Sequence, residues 1–351
     1  MGRTKKSITG GKAFPRADIR AVALLSGGLD SVLALKIVLC QGIKVKGVNF
    51  ITPFLKEQQK IIIEQAGELG IPLMTMSLNK NYLDLVRRPK YGYGKWFNPC
   101  IDCRILMLKK AKSLLKEKDS FIVTGEVLGQ RPSSQYKDAL LIIEKEAGLS
   151  GRVLRPLSAR LLPPTIPEKE GLIKREKLLD ISGRSRRRQL ELAKEFGISK
   201  YLSPAGGCLL TEKEFSRRLS DLFEHKKRIE TSDVELLKVG RHFRLSPKTK
   251  LIVGRDEREN KILLGASHPE RSRRNYFLLE ANDVAGPIGV LENRDKDLIP
   301  LAARIIARYS DAKDSSLVSV NYWNNLNKSA VVVKPLKNIG NLKSLRIGSV
   351  S

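Results

Sequence analysis

The most restrictive feature of this chain is six residues, Ser26-Gly27-Gly28-Leu29-Asp30-Ser31, set between the apolar run Ala21–Leu25 and an apolar helical stretch that begins at Val32 and stops near Gly42. A strand that gives way to paired glycines and then to a helix points backbone amides, two hydroxyls and a helix N-terminus at one place. Such a turn grips phosphate. The glycines let the backbone approach phosphate oxygens, Ser26 and Ser31 can donate, and the helix end carries partial positive charge. Asp30 would repel phosphate unless a cation intervenes, so Mg2+ bridging carboxylate and phosphate is expected. The Gly-x-x-x-x-Gly-Lys-Ser/Thr loop of kinases and GTPases occurs nowhere in the chain, so this phosphate site is of another kind.

The same order of elements repeats. Lys46–Phe50 reads as a strand, Lys56–Leu69 as an amphipathic helix ended by Gly70, Pro72–Leu78 and Phe121–Val127 as strands, and Gln135–Ala147 as a helix, with Arg152–Pro156 closing the block. Strands alternating with helices predict an α/β fold with a parallel sheet covered on both faces. An extended connector, Leu162-Pro163-Pro164-Thr165-Ile166-Pro167, follows, and Lys169–Phe196 is predicted to return to helix. From about residue 231 the pattern changes. Leu251–Val253, Lys261–Leu264, Tyr276–Leu279 and Ala330–Lys334 read as short strands and Leu298–Tyr309 as a helix, which predicts a smaller α+β domain. The expected divisions are a mobile basic leader over 1–18, a nucleotide domain over 19–165, a helical basic region over 166–230 and the α+β domain over 231–351.

The 351 residues hold 65 Lys and Arg against 37 Asp and Glu, a net charge of +28 that predicts a polyanionic partner. The basic residues cluster at Arg184, Arg186, Arg187 and Arg188, at Arg217, Arg218, Lys226, Lys227 and Arg228, and at Arg271, Arg273 and Arg274, a pattern suited to tracking nucleic-acid phosphates. No apolar run approaches the roughly 20 residues of a bilayer span, and the basic N-terminus leads into no apolar core. A cytoplasmic protein without membrane segments is therefore expected.

Four cysteines are too few for a disulfide scaffold in a chain of this length. Cys100 and Cys103 form a C-x-x-C pair ahead of the helix that carries Ile105, Leu106 and Leu108, while Cys208 stands beside Gly206-Gly207. Two thiols at a helix start can chelate a metal or act as a redox pair, and a third makes a three-thiolate set possible. Cys40, on the apolar face of the first helix, is expected in the core. His225, His242 and His268 show no paired spacing and read as surface or structural residues.

The six-residue loop resembles the SGGxDS signature of the PP-loop ATP pyrophosphatase superfamily, whose adenine nucleotide alpha hydrolase-like domains cleave ATP between the α and β phosphates and transfer AMP to a substrate oxygen. Asn98-Pro99 ahead of Cys103, and Gly-x-Cys208 followed by Glu214-Phe215, look like the two cysteine segments of tRNA-specific 2-thiouridylases. That resemblance implies Cys103 and Cys208 as the active pair. Cysteine at position 100 departs from the common bacterial form and resembles the iron–sulfur-dependent thiolases, in which three thiolates hold a [4Fe-4S] cluster with one iron open. Thr124–Gln135 resembles the TGHYA-type segment of thiouridylases, without its His. Ile252–Lys261 with Ala285-Gly286-Pro287 resembles the RNA-binding domain of ribosome-associated NFACT proteins.

The expected function is an ATP-dependent tRNA sulfurtransferase making 2-thiouridine or 4-thiouridine. Ser26, Gly27, Gly28, Asp30 and Ser31 would bind ATP and Mg2+, with Asp30, Cys103 and Cys208 catalytic. Cys100, Cys103 and Cys208 would hold the cluster, and Arg184, Arg186, Arg187 and Arg188 would bind RNA. The partners are tRNA and a sulfur donor, either sulfide or a persulfide carrier. A persulfide relay on Cys103 and Cys208, or zinc at the thiols, competes with the cluster. A PP-loop ligase acting on a small metabolite, or an RNA-binding factor that merely binds ATP, competes with the enzyme as a whole.

Overall fold

The computed structural model describes residues 20–55, 58–78, 80–115, 119–202, 207–266, 276–292, 295–324, 327–337 and 339–348. The basic leader, Arg271, Arg273, Arg274, His268 and Gly206 lie outside the described residues. The chain forms two compact units, Met1–Leu209 and Leu210–Ser351.

In the first unit the elements run β1 (Ala21–Leu24), α1 (Leu29–Leu39), β2 (Val45–Ile51), α2 (Gln59–Glu68), β3 (Leu73–Ser77), α3 (Lys80–Arg87), α4 (Cys100–Lys112), β4 (Phe121–Val123), α5 (Lys137–Ala147), β5 (Val153–Leu154), α6 (Ile166–Lys169) and α7 (Arg187–Glu195). The strands pair in parallel in the order β3-β2-β1-β4-β5. Such a sheet is buried on both faces, which is why β1 is apolar and buried at every position. Helix α1 is apolar nearly all round because it is enclosed. Leu29, Val32, Leu33, Leu35, Ile37 and Val38 pack in one core with Ala21, Ala23, Phe121 and Val123 of the sheet and with Leu192 and Ala193 of α7. The strand order reverses between β1 and β4. In open parallel sheets, a crevice opens at that point beyond the strands' carboxyl ends, and ligands bind there.

Several elements differ from expectation. Lys169–Phe196 is not one helix: α6 stops at Lys169, a single 3-10 turn spans Arg175–Lys177, and α7 begins at Arg187. Gly171 and Gly183 adopt positive φ, and the chain between them returns to the core through Leu179 N to Pro156 O (2.9 Å) and Ile181 N to Leu157 O (2.8 Å). Backbone pairing with the sheet domain thus takes the hydrogen bonds that a helix would have used. Cys40 is exposed, not in the core, because it caps α1 one residue beyond the last packed position, Leu39.

The second unit contains α8 (Lys213–His225), α9 (Thr231–Leu237), β6 (Arg241–Ser246), β7 (Thr249–Val253), α10 (Glu257–Ala266), β8 (Tyr276–Ala281), β9 (Gly289–Glu292), α11 (Ile299–Arg308), β10 (Val318–Trp323), β11 (Lys328–Val333) and α12 (Ile339–Leu345). Its sheet runs β11-β10-β8-β9-β7-β6 with every neighbouring pair antiparallel. Alternation divides the side chains. Leu251, Val253, Phe277 and Leu279 meet Ala302, Ala303 and Ile306 of α11 on one face, while Ile252, Tyr276, Leu278 and Val290 meet Leu236 and Leu263 on the other. Lys261–Leu264, expected as a strand, belongs to α10. Glu259 and Leu263, four residues apart, are buried while Ile262 and Leu264 are exposed, which is helical periodicity. Among the described residues no helix is long and apolar enough to cross a membrane.

Candidate nucleotide and cysteine site

The Ser26–Ser31 loop sits at the switch point of the parallel sheet, where β1 hands the chain to α1. The loop is tightly tied. Ser31 Oγ donates to Gly28 O (2.8 Å), Ser26 Oγ lies 3.2 Å from Ser31 Oγ, and Gly27 O accepts from Gln65 Nε2 (3.0 Å) and Leu202 N (2.9 Å). Gly27 has φ +81°, which favours glycine, and a Cβ there would come within 2.5 Å of Leu202 Cδ1, whose side chain would have to shift. At Gly28 a Cβ would meet nothing nearer than Ser26 Oγ at 3.6 Å. That open side is the direction from which a phosphate can approach the backbone.

The loop after β4, Thr124–Gln130, closes the other side. A Cβ on Gly125 would come within 2.5 Å of Asp30 C and Ser31 N, so this backbone lies directly on the phosphate loop. Gln130 Nε2 donates to Asp30 Oδ2 at 2.9 Å, while Asp30 Oδ1 is buried without a hydrogen bond and stands 3.6 Å from the Arg186 guanidinium. A buried carboxylate oxygen with free lone pairs beside the phosphate cradle fits a Mg2+ ligand.

Beneath this loop lies a buried charge network. Glu126 bonds Arg155 Nε (3.0 Å) and Thr124 Oγ1 (3.1 Å) and pairs with Arg104 Nε (3.2 Å), and Arg155 continues to Glu144. Burial pushes the Glu126 carboxyl up, but the charges of Arg104 and Arg155 and the hydrogen bonds from Arg155 and Thr124 overcome it, leaving Glu126 below the usual carboxylate range. Arg104 follows Cys103 on α4, so one ion pair ties the cysteine helix to the loop that rests on Asp30.

The cysteines belong to two segments, and Tyr82 contacts one of them. Cys100 and Cys103 occupy the first turn of α4, which begins after Pro99. Cys208 is brought back to the sheet domain by an antiparallel bridge with Leu55 and by Leu209 N to Phe54 O (2.8 Å), just past the carboxyl end of β2. Tyr82 packs its ring on Phe54 (5.8 Å between centroids) and donates its hydroxyl to Cys103 Sγ (3.1 Å). Asn98 Nδ2 donates to Cys100 Sγ at 3.3 Å, and Asp102 accepts from Lys90 N and Tyr91 N, bracing the preceding turn. Burial raises the Tyr82 phenol well above its ordinary pKa, with negative charge at Cys103, Cys208 and Cys100 adding to the rise. Cys103 is the cysteine that touches this buried phenol. Burial also raises Cys103; the Tyr82 hydrogen bond and Arg104 oppose this, and Cys100 and Asp102 reinforce it.

No disulfide joins the four cysteines. Among the described residues no group of three His, Cys, Asp or Glu side chains stands close enough to hold a metal ion, so the expected ligand set is not assembled as a single-ion site. In kind, three soft thiolates without an oxygen ligand fit iron–sulfur chemistry.

The arginine cluster divides. Arg187 is 88% exposed and pairs with Glu191; Arg188 pairs with Glu191 and Glu195; Arg184 is exposed. Arg186, expected to face RNA with them, turns inward to Asp30 at 17% exposure. His242 is buried with Nε2 against Val239 O (2.8 Å), and burial, helped by the charges of Lys250 and Arg218, holds it well below its ordinary pKa. Tyr82, Gln65 and Arg104 carried no local signal in the sequence, since tertiary contact alone brings them to the site.

A 3-2-1-4-5 parallel sheet with Ser-Gly-Gly-Leu-Asp-Ser at its switch point is the arrangement expected of a PP-loop domain. Residues 17–160 match the family described as Thiamine biosynthesis protein (ThiI), and residues 240–341 match the NFACT protein RNA binding domain. One family model thus covers most of the first unit and the other much of the second. The chain is 30% identical over 132 residues to the tRNA-specific 2-thiouridylase MnmA of Syntrophotalea carbinolica, an alignment that covers 34% of this chain and 37% of that protein. The chain thus spans just over a third of the length of this curated relative. Among solved structures, a predicted subunit of tRNA methyltransferase from Methanocaldococcus jannaschii aligns at TM-score 0.31 and 16% identity, over 55% of this chain and 97% of that one. NMN synthetase from Francisella tularensis aligns at TM-score 0.26 and 13% identity, over 53% and 89%.

Proposed function

We propose that this protein is an ATP-dependent tRNA sulfurtransferase. The observation that carries the reading is the coupling of two half-sites: a phosphate loop at Ser26–Ser31 and the cysteine helix, whose Cys103 meets Tyr82, joined through Arg104 and Glu126. The likeness to a tRNA-specific 2-thiouridylase and to an NFACT RNA-binding domain supports tRNA as the substrate.

A uridine carbonyl oxygen attacks the α-phosphorus of ATP and pyrophosphate leaves. Amides of the Gly27-Gly28 turn and the hydroxyls of Ser26 and Ser31 offset the charge that develops on the phosphates. Asp30 would hold Mg2+, which when bound supplies further charge neutralisation there. A sulfur nucleophile then adds to the activated carbon, and AMP departs with the former carbonyl oxygen. Cys100, Cys103 and Cys208 would hold a [4Fe-4S] cluster, which when bound supplies an iron without a protein ligand as a Lewis-acid site for hydrosulfide. Tyr82 positions Cys103 through its hydroxyl, and Asn98 positions Cys100. The surplus positive charge holds the tRNA backbone, and the target base is unstacked to reach the site.

The test is anaerobic incubation of the protein with ATP, Mg2+, sulfide and unmodified tRNA, followed by nucleoside mass spectrometry. Thiouridine that forms only with ATP, and is lost in Cys208→Ser, supports the proposal. Absence of a thiolated nucleoside from iron-loaded protein sinks it. Full activity from iron-free protein that needs a persulfide-charged sulfur carrier in place of sulfide, together with a thiol reductant, would instead assign sulfur carriage to a persulfide on Cys208, with Cys103 closing a disulfide onto Cys208 as the sulfur leaves.

A further inference from the structure

We propose that Arg186 is a phosphate ligand of the nucleotide site, held against Asp30 until ATP and its metal bind. This rests on the nucleotide reading above and deepens it.

The Arg186–Asp30 contact is not a closed ion pair. At 3.6 Å the guanidinium is beyond hydrogen-bonding distance, and both Arg186 Nε and Asp30 Oδ1 are buried without a hydrogen-bond partner. Burying two opposite charges that leave their directional bonds unmade is costly, and a structural pair would be expected to close. Gln189 is fully buried, its Oε1 also lacks a partner, and its Nε2 reaches Gln130 Oε1 only at 3.5 Å. Polar atoms of Asp30, Arg186 and Gln189 are thus left unsatisfied around one side of the phosphate loop.

The placement is built into the backbone. Gly183 N bonds Leu128 O at 2.7 Å, and Ser182 bridges Leu128 in parallel, so the segment leading to Arg186 is pinned to the loop that carries Gln130. Arg187 and Arg188, by contrast, pair with glutamates on their own helix. A guanidinium fork suits phosphate oxygens, and a nucleotide on the open side of Gly28 would bring those oxygens beside it. As Arg186 turns to phosphate it frees Asp30 Oδ1 for the metal. The parked pair therefore keeps Asp30 neutralised in the absence of ATP and ties phosphate capture to metal capture.

The test is ATP binding without tRNA, by calorimetry in Mg2+, for the wild-type full chain, Arg186→Gln and Arg186→Lys, with tRNA affinity measured in parallel. Expected are a loss of roughly tenfold or more in ATP affinity for Arg186→Gln, a smaller loss for Arg186→Lys, and tRNA affinity within about twofold of wild type. Wild-type ATP affinity in both variants overturns the inference, as does a loss confined to tRNA. Failure of the wild type to bind ATP overturns the nucleotide reading itself. Should the variants not fold, phenylglyoxal labelling of wild-type protein with peptide mass mapping decides. Protection of Arg186 by Mg2+ and inorganic pyrophosphate is expected, and labelling unchanged by pyrophosphate refutes the proposal.

Discussion

Replacing Gly125 with alanine probes the junction of the two half-sites with a single methyl group. A Cβ at this position would lie 2.5 Å from Asp30 C, 2.5 Å from Ser31 N and 2.6 Å from Asp30 O, all backbone atoms that cannot rotate away. Non-bonded heavy atoms settle at about 3.5–4.0 Å, so the Thr124–Gln130 loop and the Ser26–Ser31 loop must separate by roughly 1 Å. Overpacking of this kind costs about 1–3 kcal/mol, and each kcal/mol lowers Tm by about 2–4 °C in a domain of this size. The functional effect should be larger, since a displacement of about 1 Å in positioning groups costs on the order of 100-fold in rate. Pyrophosphate release with and without tRNA, alongside thermal unfolding, reads both quantities. A Gly125→Ala protein with wild-type turnover and Tm would refute the close approach of the two loops.

Other consequences follow from particular groups. Asp30→Ala should abolish ATP-dependent thiolation while leaving tRNA affinity within about twofold, since it removes phosphate and metal chemistry but no basic contact. Glu126 has a folded-state pKa below its unfolded value of about 4.3, so its stabilising contribution is present above that pH and is lost as pH falls through the folded pKa; Glu126→Gln should flatten this acid limb of stability in denaturant titrations. Replacing Arg184, Arg187 and Arg188 together should make the dependence of tRNA affinity on log salt shallower by about 0.7–0.9 for each phosphate contact removed. Cys100→Ser should lose bound iron and sulfide measured after anaerobic preparation, and near-wild-type iron in that variant would remove Cys100 from the ligand set.

Much of the first unit was legible because its signals are local. Apolar strands, a glycine pair and a helix start lie within 20 residues at the phosphate loop, and the alternation that follows allows few topologies other than a parallel sheet. The cysteine segments were legible by spacing, but the return of Cys208 to the sheet domain was not. It depends on an isolated bridge between Cys208 and Leu55, a contact across 153 residues. Arg186 stands in a charge run that, in sequence, resembles a charged surface. The turn at Gly183 and the register of Ser182 with Leu128 decide that one of these arginines faces inward. In the second unit, Lys261–Leu264 misled because a short apolar run has no period of its own; burial of Glu259 and Leu263 on one face resolves it as helix.

The most direct test of tRNA sulfur transfer is the stoichiometry of AMP to thiouridine in a single anaerobic reaction with ATP, sulfide and unmodified tRNA. Activation of the carbonyl oxygen by AMP predicts one AMP, and one pyrophosphate, for each thiouridine formed, with none of the three without tRNA. Pyrophosphate release that depends on tRNA yet leaves every uridine unthiolated, or thiouridine formed without AMP, would contradict it.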